Sequence, residues 1–193
     1  MSTFKKIAAS ASENTTTAAT ELEAAGFQVQ SFTDTTAMEH VIASGTIAGV
    51  LDLNLADIAR AIINNHTTPQ LQAAAQQSLP AVIAPGGVDL IHPDENAPPA
   101  RTTPDQNIAI ATLIAENLNR YPIPPTVALP LLGLSSQSTP GTPHHNPEAD
   151  QALFSTLRQR LNPDITLIES DHAINHPTFA LLCARNLLDD LNA

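Results

Sequence analysis

Short apolar runs alternate with longer amphipathic ones along this chain of 193 residues. Lys6-Ile7-Ala8-Ala9 reads as a first strand. Thr15 to Ala25 reads as a helix, with Leu22 and Ala25 apolar and Gly26 placed to end it. Phe27 to Phe32 (FQVQSF) alternates with period two, which predicts a strand with one exposed side near a sheet edge. Ala37 to Ser44 predicts a short helix closed by Gly45, and Ile47 to Leu53 (IAGVLDL) a buried parallel strand. Helices over Leu55 to Asn64 and Gln70 to Gln77 follow. A strand over Ala81 to Ala84 then runs straight into Pro85-Gly86-Gly87.

The second half keeps the same rhythm. His92 to Ala100 reads as a loop. Thr103 then caps a helix that has Pro104 at its first position and Gln106 completing a capping box. That helix runs to about Arg120 and stops before Pro122. Thr126 to Leu131 is a strand, and Ser135 to His145 a polar loop. Asn146-Pro147-Glu148 opens another helix with a cap, a proline and acids in its first turn. Ile165 to Glu169 is the last strand and Pro177 to Leu191 the last helix. About six strands with helices between them predict a single α/β domain over residues 1–193. Its architecture is a three-layer, doubly wound, mostly parallel sheet, Rossmann- or flavodoxin-like, with the flavodoxin-like order preferred. Such sheets bind ligands beyond the carboxyl ends of their strands, so the residues just after each strand are the ones to inspect.

Composition narrows the function classes. Eight Lys and Arg stand against 19 Asp and Glu, a formal net charge of −11. Such a chain repels phosphate backbones and anionic lipid, which argues against nucleic-acid and membrane partners. Hydrophobic residues make up 42%, enough for a packed core. Lys5 and Lys6 imitate the basic end of a signal peptide, but the apolar stretch after them is too short, and a cytoplasmic protein is expected. The single cysteine, Cys183, lies in an apolar run and reads as a buried, inert thiol. His40 and His66 read as surface residues.

The chemistry-bearing candidates are few. There is no Walker A motif, no G-x-G-x-x-G and no G-x-S-x-G elbow. Gly26 and Gly45 end helices, and Gly49 sits inside a strand as if for close packing. That leaves Gly86, Gly87, Gly133 and Gly141 at strand ends or in loops. Pro85-Gly86-Gly87 is the best backbone turn for an anionic ligand, weighed against an ordinary tight turn. Arg101, Thr102 and Thr103 at a helix start form an anion site, or else Thr103 caps and Arg101 neutralises Asp94, Glu95 or Asp105. Asp52, Asp89 with His92, His144 with His145, and Asp171 with His172 all follow strands or precede helices. Two histidines and two carboxylates suit acid–base work or a zinc or manganese ion. The spacing is not diagnostic of a metal site, and His144 and His145 stand below loop and capping roles as metal ligands.

Six segments occur in a telling order: Gly49-Val50-Leu51-Asp52-Leu53, Gly87-Val88-Asp89-Leu90, Arg101-Thr102-Thr103-Pro104, Leu129-Pro130-Leu131 with Gly133, Asn146-Pro147-Glu148-Ala149-Asp150 with Leu153-Phe154, and Asp171-His172-Ala173-Ile174-Asn175 with Pro177 and Phe179. Together they resemble the C-terminal domain of the tomato mosaic virus resistance protein-like ATP-binding family, over essentially the whole chain. The resemblance implies a partner for this domain, either a separately encoded first domain or a second copy. It also implies ATP as a possible ligand of one half or the other. The chain departs from the family at its first two strand ends. Ser12-Glu13-Asn14-Thr15-Thr16 and Thr33-Asp34-Thr35-Thr36-Ala37-Met38 carry no glycine, which weakens any phosphate cradle there. In the last segment the family's capping acid is replaced by His176, a poorer cap, so Asn175 is expected to take over.

Two readings follow. One is a domain that binds a small anionic or phosphorylated ligand through Gly86, Gly87, Arg101, Thr102 and Thr103, with Asp52 and Gly133 nearby and Asp89, His172 or Asp171 as acid–base group. The other is a non-catalytic assembly domain. Leu181, Leu182, Leu187, Leu188 and Leu191 of the last helix then serve either the core or such an interface.

Overall fold

The computed structural model of the chain describes residues 5–12, 15–91 and 98–193. Glu13, Asn14 and His92 of the sequence reading, and most of the His92–Ala100 loop with Asp94 and Glu95, lie outside them. Six parallel strands form one sheet: β1 (Lys6–Ser10), β2 (Gln28–Phe32), β3 (Ile47–Asp52), β4 (Ala81–Ile83), β7 (Thr126–Pro130) and β8 (Thr166–Ser170). Their order is β2-β1-β3-β4-β7-β8, with every pairing parallel. This is the flavodoxin-like order extended by one strand, so the sheet reverses its winding between β1 and β3. A feature the sequence reading missed is a two-stranded antiparallel ribbon, β5 (Leu90–Ile91) with β6 (Ala100–Arg101). Strands of two residues carry no periodicity to detect.

Burial follows the alternation. β2 is an edge strand with no fully buried residue, as FQVQSF predicts. β4 and β7, between other strands, are buried throughout. Ile7 and Ala9 of β1, Leu51, Val82 and Ala128 face one layer, made by α1 (Thr15–Ala24) and α7 (Pro177–Asn192). Ala8, Val50, Ile83, Val127 and Leu129 face the other. That layer is built from α2 (Thr35–Ala43), α3 (Ala56–Ile63), α4 (Gln72–Gln76), α5 (Pro104–Leu118) and α6 (Pro147–Arg160). Gly49 lets α7 settle onto the sheet: a Cβ there would stand 3.2–3.3 Å from Leu191, Ile7 and Leu187. Leu187 is fully buried, and Leu188 and Leu191 pack on the same core, so these leucines of the last helix serve the core.

Helix starts follow local chemistry. Thr103 and Gln106 form the expected capping box on α5, and Asn146 caps α6 through Ala149 N–H at 3.1 Å. His176 caps α7 itself, its Nδ1 accepting Thr178 N–H at 3.2 Å, where Asn175 was expected. α4 is shorter than the sequence suggests because Leu71 adopts φ +72°, outside the helical region. Its free N–H groups find a remote acceptor: Glu39 of α2 takes Leu71 N–H at 3.0 Å and Ala73 N–H at 2.7 Å.

Candidate functional site

The loops after β1, β3, β4, β7 and β8 converge on one cleft of about 200 Å³ at the carboxyl edge of the sheet. Its polar lining comes from Ser12, Asn54, Ser135, Ser136, Gln137 and Asn175, and its walls from Leu53, Leu134 and Ile174. Among the predicted site residues, Gly86 and Gly87 line it directly. Parallel topology explains the convergence, since each strand delivers its loop, and the start of the next helix, to the same edge. Ser12, Asn54 and Asn175 stand just before the starts of α1, α3 and α7.

The Pro85-Gly86-Gly87 turn owes its glycines to packing. A Cβ on Gly86 would lie 2.2 Å from the Leu53 carbonyl oxygen, and one on Gly87 2.7 Å from Asn54 Oδ1. Gly87 also holds φ +71°. Gly86 N–H donates to Ala84 O and Gly87 N–H to Leu134 O, each at 2.9 Å, so both donors are engaged within the fold. The turn is therefore a wall of the cleft and directs neither N–H at a ligand.

Asp89 is fully buried beside the cleft. Its Oδ2 accepts the Ser135 hydroxyl at 2.6 Å, and its Oδ1 has no partner among the described residues. Ser135 itself lines the cleft, so Asp89 touches the site through that hydroxyl.

Arg101 points elsewhere. Its Nε donates to His144 O at 2.9 Å, and its terminal nitrogens reach Asp89 O, the Thr102 hydroxyl, Asn146 O and the Asp150 carboxylate. The Arg101 and Asp150 side chains are 11% and 8% exposed, a buried ion pair that ties β6 to the start of α6. Burial raises the Asp150 carboxyl above the usual aspartate value, and the Arg101 charge opposes that shift. Among the described residues its ionic partner is thus Asp150 and not Asp105; Asp94 and Glu95 lie outside them. Thr102 is fully buried and bonds Asp89 O, while Thr103 is exposed and caps α5.

The remaining candidates scatter. Gly133, at φ +144°, accepts Ile174 N–H at 2.9 Å and so joins the β7 and β8 loops behind the cleft. His172 Nδ1 lies 3.2 Å from the Ser170 hydroxyl, and its ring packs on His176 with centroids 4.3 Å apart. Asp171 is exposed. The His145 ring meets Ser138 O at 3.1 Å, and His144 contributes its backbone oxygen to Arg101. No group of three or more His, Cys, Asp or Glu among the described residues could hold a metal ion. Cys183 is fully buried, which pushes its thiol up to about 12.

Asp52 ends β3 on the α2–α6 face, where a polar cluster gathers that sequence reasoning did not find. Burial pushes its carboxyl up to about 6, against hydrogen bonds from Gln70, Ser10 and Asn54. Gln70 Nε2 donates to Asp52 Oδ2 at 2.9 Å. Glu39 is also buried and raised by burial, opposed by the α4 N–H groups. The Tyr121 hydroxyl, raised by burial and by the charges of Asp52 and Glu39, has no partner among the described residues. One signal for Glu39 was available. It sits three residues before Ile42 on the face that the helical period turns inward.

With this geometry in view, comparison with known proteins decides the family. The model of the "Uncharacterised protein family (UPF0261) C-terminal domain" matches residues 6–99 and 92–191. The chain belongs to the UPF0261 family. A UPF0261 protein of Clostridium tetani is 32% identical over 194 residues, covering 87% of this chain and 48% of that protein. A UPF0261 protein of Brucella suis is 29% identical, covering 83% and 44%. The ToMV resistance protein Tm-1 of Solanum lycopersicum is 28% identical, covering 65% of this chain and 19% of that protein. The chain thus spans about half the length of the UPF0261 relatives named here. The resemblance to the tomato mosaic virus resistance protein family read from the six segments is the relationship these matches show. No helix among the described residues of this UPF0261 domain is long and apolar enough to cross a membrane.

Proposed function

We propose that this domain binds a small anionic, phosphorylated ligand in the cleft at the carboxyl edge of its sheet. One observation carries the reading: Ser12, Asn54 and Asn175, which lie ahead of α1, α3 and α7, meet at that cleft with further hydroxyl and amide side chains. Helix starts carry roughly half a positive charge and favour anions. They supply attraction where no Lys or Arg among the described residues lines the cleft. The Ser135 hydroxyl donates to Asp89 Oδ2 at 2.6 Å and accepts Gln137 N–H at 3.3 Å, so it meets a ligand as an acceptor, for a hydroxyl or protonated oxygen, and Asp89 is the group that accepts a proton through it. A cleft of about 200 Å³ is smaller than the roughly 300–1,000 Å³ of typical ligand pockets. It suits a small phosphorylated metabolite, or the phosphate end of a nucleotide such as ATP.

The test is the melting temperature with millimolar ATP, ADP and a panel of phosphorylated metabolites. A ligand at a hundred times its Kd stabilises by about 2.7 kcal/mol, a rise of roughly 5–10 °C for a domain of this size. Ser136→Trp, which fills the cleft from an exposed position, should abolish the rise. An unchanged melting temperature across the whole panel sinks the reading. A second reading, docking against another α/β domain or a second copy, has the half-length coverage of the relatives in its favour. A stable monomer by light scattering, unaltered by co-expression with the rest of the Clostridium tetani protein, removes it.

A further inference from the structure

Ser135 carries more chemistry than the binding of an anion needs. It lines the cleft half-buried, in the loop after β7. Its hydroxyl proton goes to Asp89 Oδ2 at 2.6 Å, the length of a charge-assisted bond, in preference to the Ser138 hydroxyl at 3.4 Å. Of the two lone pairs on its oxygen, one takes Gln137 N–H at 3.3 Å, and the other accepts from no described residue. Other bonds hold both partners in place. Ser135 N–H donates to Ser138 Oγ at 3.2 Å, and Ser138 N–H donates to Ser135 O at 3.3 Å. Asp89 O accepts Thr102 N–H at 2.9 Å and Arg101 Nη1 at 3.1 Å. A hydroxyl held against a fixed carboxylate, with a lone pair to spare, is a nucleophile with its proton acceptor in place.

The cleft limits the electrophile. No His, Lys, Arg, Cys or Tyr among the described residues lines it. Asp89 is fully buried and does not line the cleft, so it meets a substrate through the serine oxygen. It can take the serine proton but cannot hand one to a departing group. The leaving group must therefore be a stable anion at neutral pH. Alkoxides and amines are not, which sets ordinary esters and peptides aside. A phosphate monoester is, because its second pKa is about 6 and it departs as a dianion. Attack at phosphorus is disfavoured, since a phosphoserine would set about two negative charges beside Asp89. Attack at a carbonyl carbon leaves a neutral ester there. Asn54, which also lines the cleft, supplies a donor for the carbonyl oxygen. Its Oδ1 accepts Ala56 N–H at 3.2 Å, which fixes the amide and leaves Nδ2 with no acceptor among the described residues.

We propose that this cleft is an acyl-transfer site in which Ser135 attacks a mixed anhydride of a carboxylic acid and a phosphate monoester. The proposal rests on the anion-binding reading of the same cleft, which holds the phosphate. As the bond from Ser135 Oγ to the carbonyl carbon forms, the bond from that carbon to the bridging phosphate oxygen breaks. The phosphate monoester leaves with that electron pair as a dianion, and the serine proton passes to Asp89. The product is an O-acylserine. Water then adds to the acyl carbon and Asp89 returns its proton to the serine oxygen. The freed carboxylate and the two protons of that water go to solvent.

The experiment incubates the full chain with acetyl adenylate at neutral pH and follows two readouts, the release of AMP and the masses of peptides from acid-quenched samples. One acetyl group on Ser135, formed by the folded chain and not by the chain in urea, is expected, with AMP release above the uncatalysed rate. Ser135→Ala should lose both. Asp89→Asn still accepts the serine hydrogen bond but takes no proton, and should slow both by about 100-fold or more. Where that buried substitution unfolds the chain, the site labelled in the native chain and the loss in Ser135→Ala carry the test. The proposal is overturned if AMP release is unaffected by Ser135→Ala, if the acetyl group settles on a different serine, or if Ser135 carries adenylate from attack at phosphorus. It is overturned equally if neither readout appears. A melting temperature that AMP still raises then leaves the anion-binding reading standing, and one that no phosphorylated compound moves removes both.

Discussion

Asp52 shows how burial writes chemistry onto a single side chain. In an exposed loop its carboxyl would sit near 3.8, whereas full burial at the end of β3 pushes it up to about 6. The native state therefore holds a proton between about pH 4 and 6 that the unfolded chain has released. Stability falls as pH rises through that window and stays lower above it, by about 3 kcal/mol for a shift of this size. Asp52→Asn cannot ionise. It keeps an acceptor for Gln70 and loses the longer contact with Asn54 N–H at 3.3 Å. Urea unfolding across pH 4 to 7 should therefore show a flatter stability curve for the variant. A curve as steep as that of the native chain would assign the dependence to Glu39 or Asp150, which burial raises in the same direction. Asp52 was visible in the sequence as an acid after a strand, but its environment was not. Gln70 lies 18 residues away, and nothing in the local pattern points from one to the other.

At the scale of elements, what could be read in advance was what neighbours in the chain decide. The Thr103–Gln106 capping box, Asn146 before Pro147 and the edge character of FQVQSF each depend on a few consecutive residues, and each stands as read. Contacts between elements were not legible in the same way. Arg101 was weighed as a ligand for an anion because it precedes a helix start, yet its guanidinium bridges β6 to α6 through Asp150, 49 residues on. The same holds for Gly86. Its place in a turn was plain, but the backbone of Leu53 that demands a glycine there comes from another strand's loop. The Arg101–Asp150 pair gives a sharp expectation. Removing one partner from a buried pair leaves an uncompensated charge and costs about 3–5 kcal/mol, while replacing both with apolar residues is often near neutral. Arg101→Met should lower stability by that amount, and adding Asp150→Leu should recover most of it in a double-mutant cycle read by urea unfolding. If the two losses simply add, the pair is not coupled.

The whole molecule is governed by an imbalance of charge laid over an ordinary parallel-sheet core. The alternation of strands and helices made the sheet legible, because a parallel sheet buried on both faces requires continuous apolar runs. The strand order was harder to read. It depends on which strands tolerate water, and only β2 announced that through its alternation; the partly exposed β8 at the opposite edge did not. Over this core the chain carries a net charge of −11, and four of its arginines are paired: Arg60 with Asp57, Arg101 with Asp150, Arg158 with Glu169 and Arg185 with Glu21. Most acids among the described residues have no such partner, so the folded state brings like charges together. That self-repulsion opposes folding and is screened as the Debye length falls from about 30 Å at 0.01 M salt to about 3 Å at 1 M. At pH 7.5 the melting temperature should accordingly rise with sodium chloride, by roughly 2–5 °C between 10 and 500 mM. Near the sequence isoelectric point of about 4.8 the repulsion vanishes, and salt then weakens only the exposed pairs at Arg60, Arg158 and Arg185. The salt effect should shrink to nothing or reverse sign there. A melting temperature that rises equally with salt at both pH values would mean that salt acts through solvation of the apolar surface, and that the surplus of acids does not limit the stability of the fold.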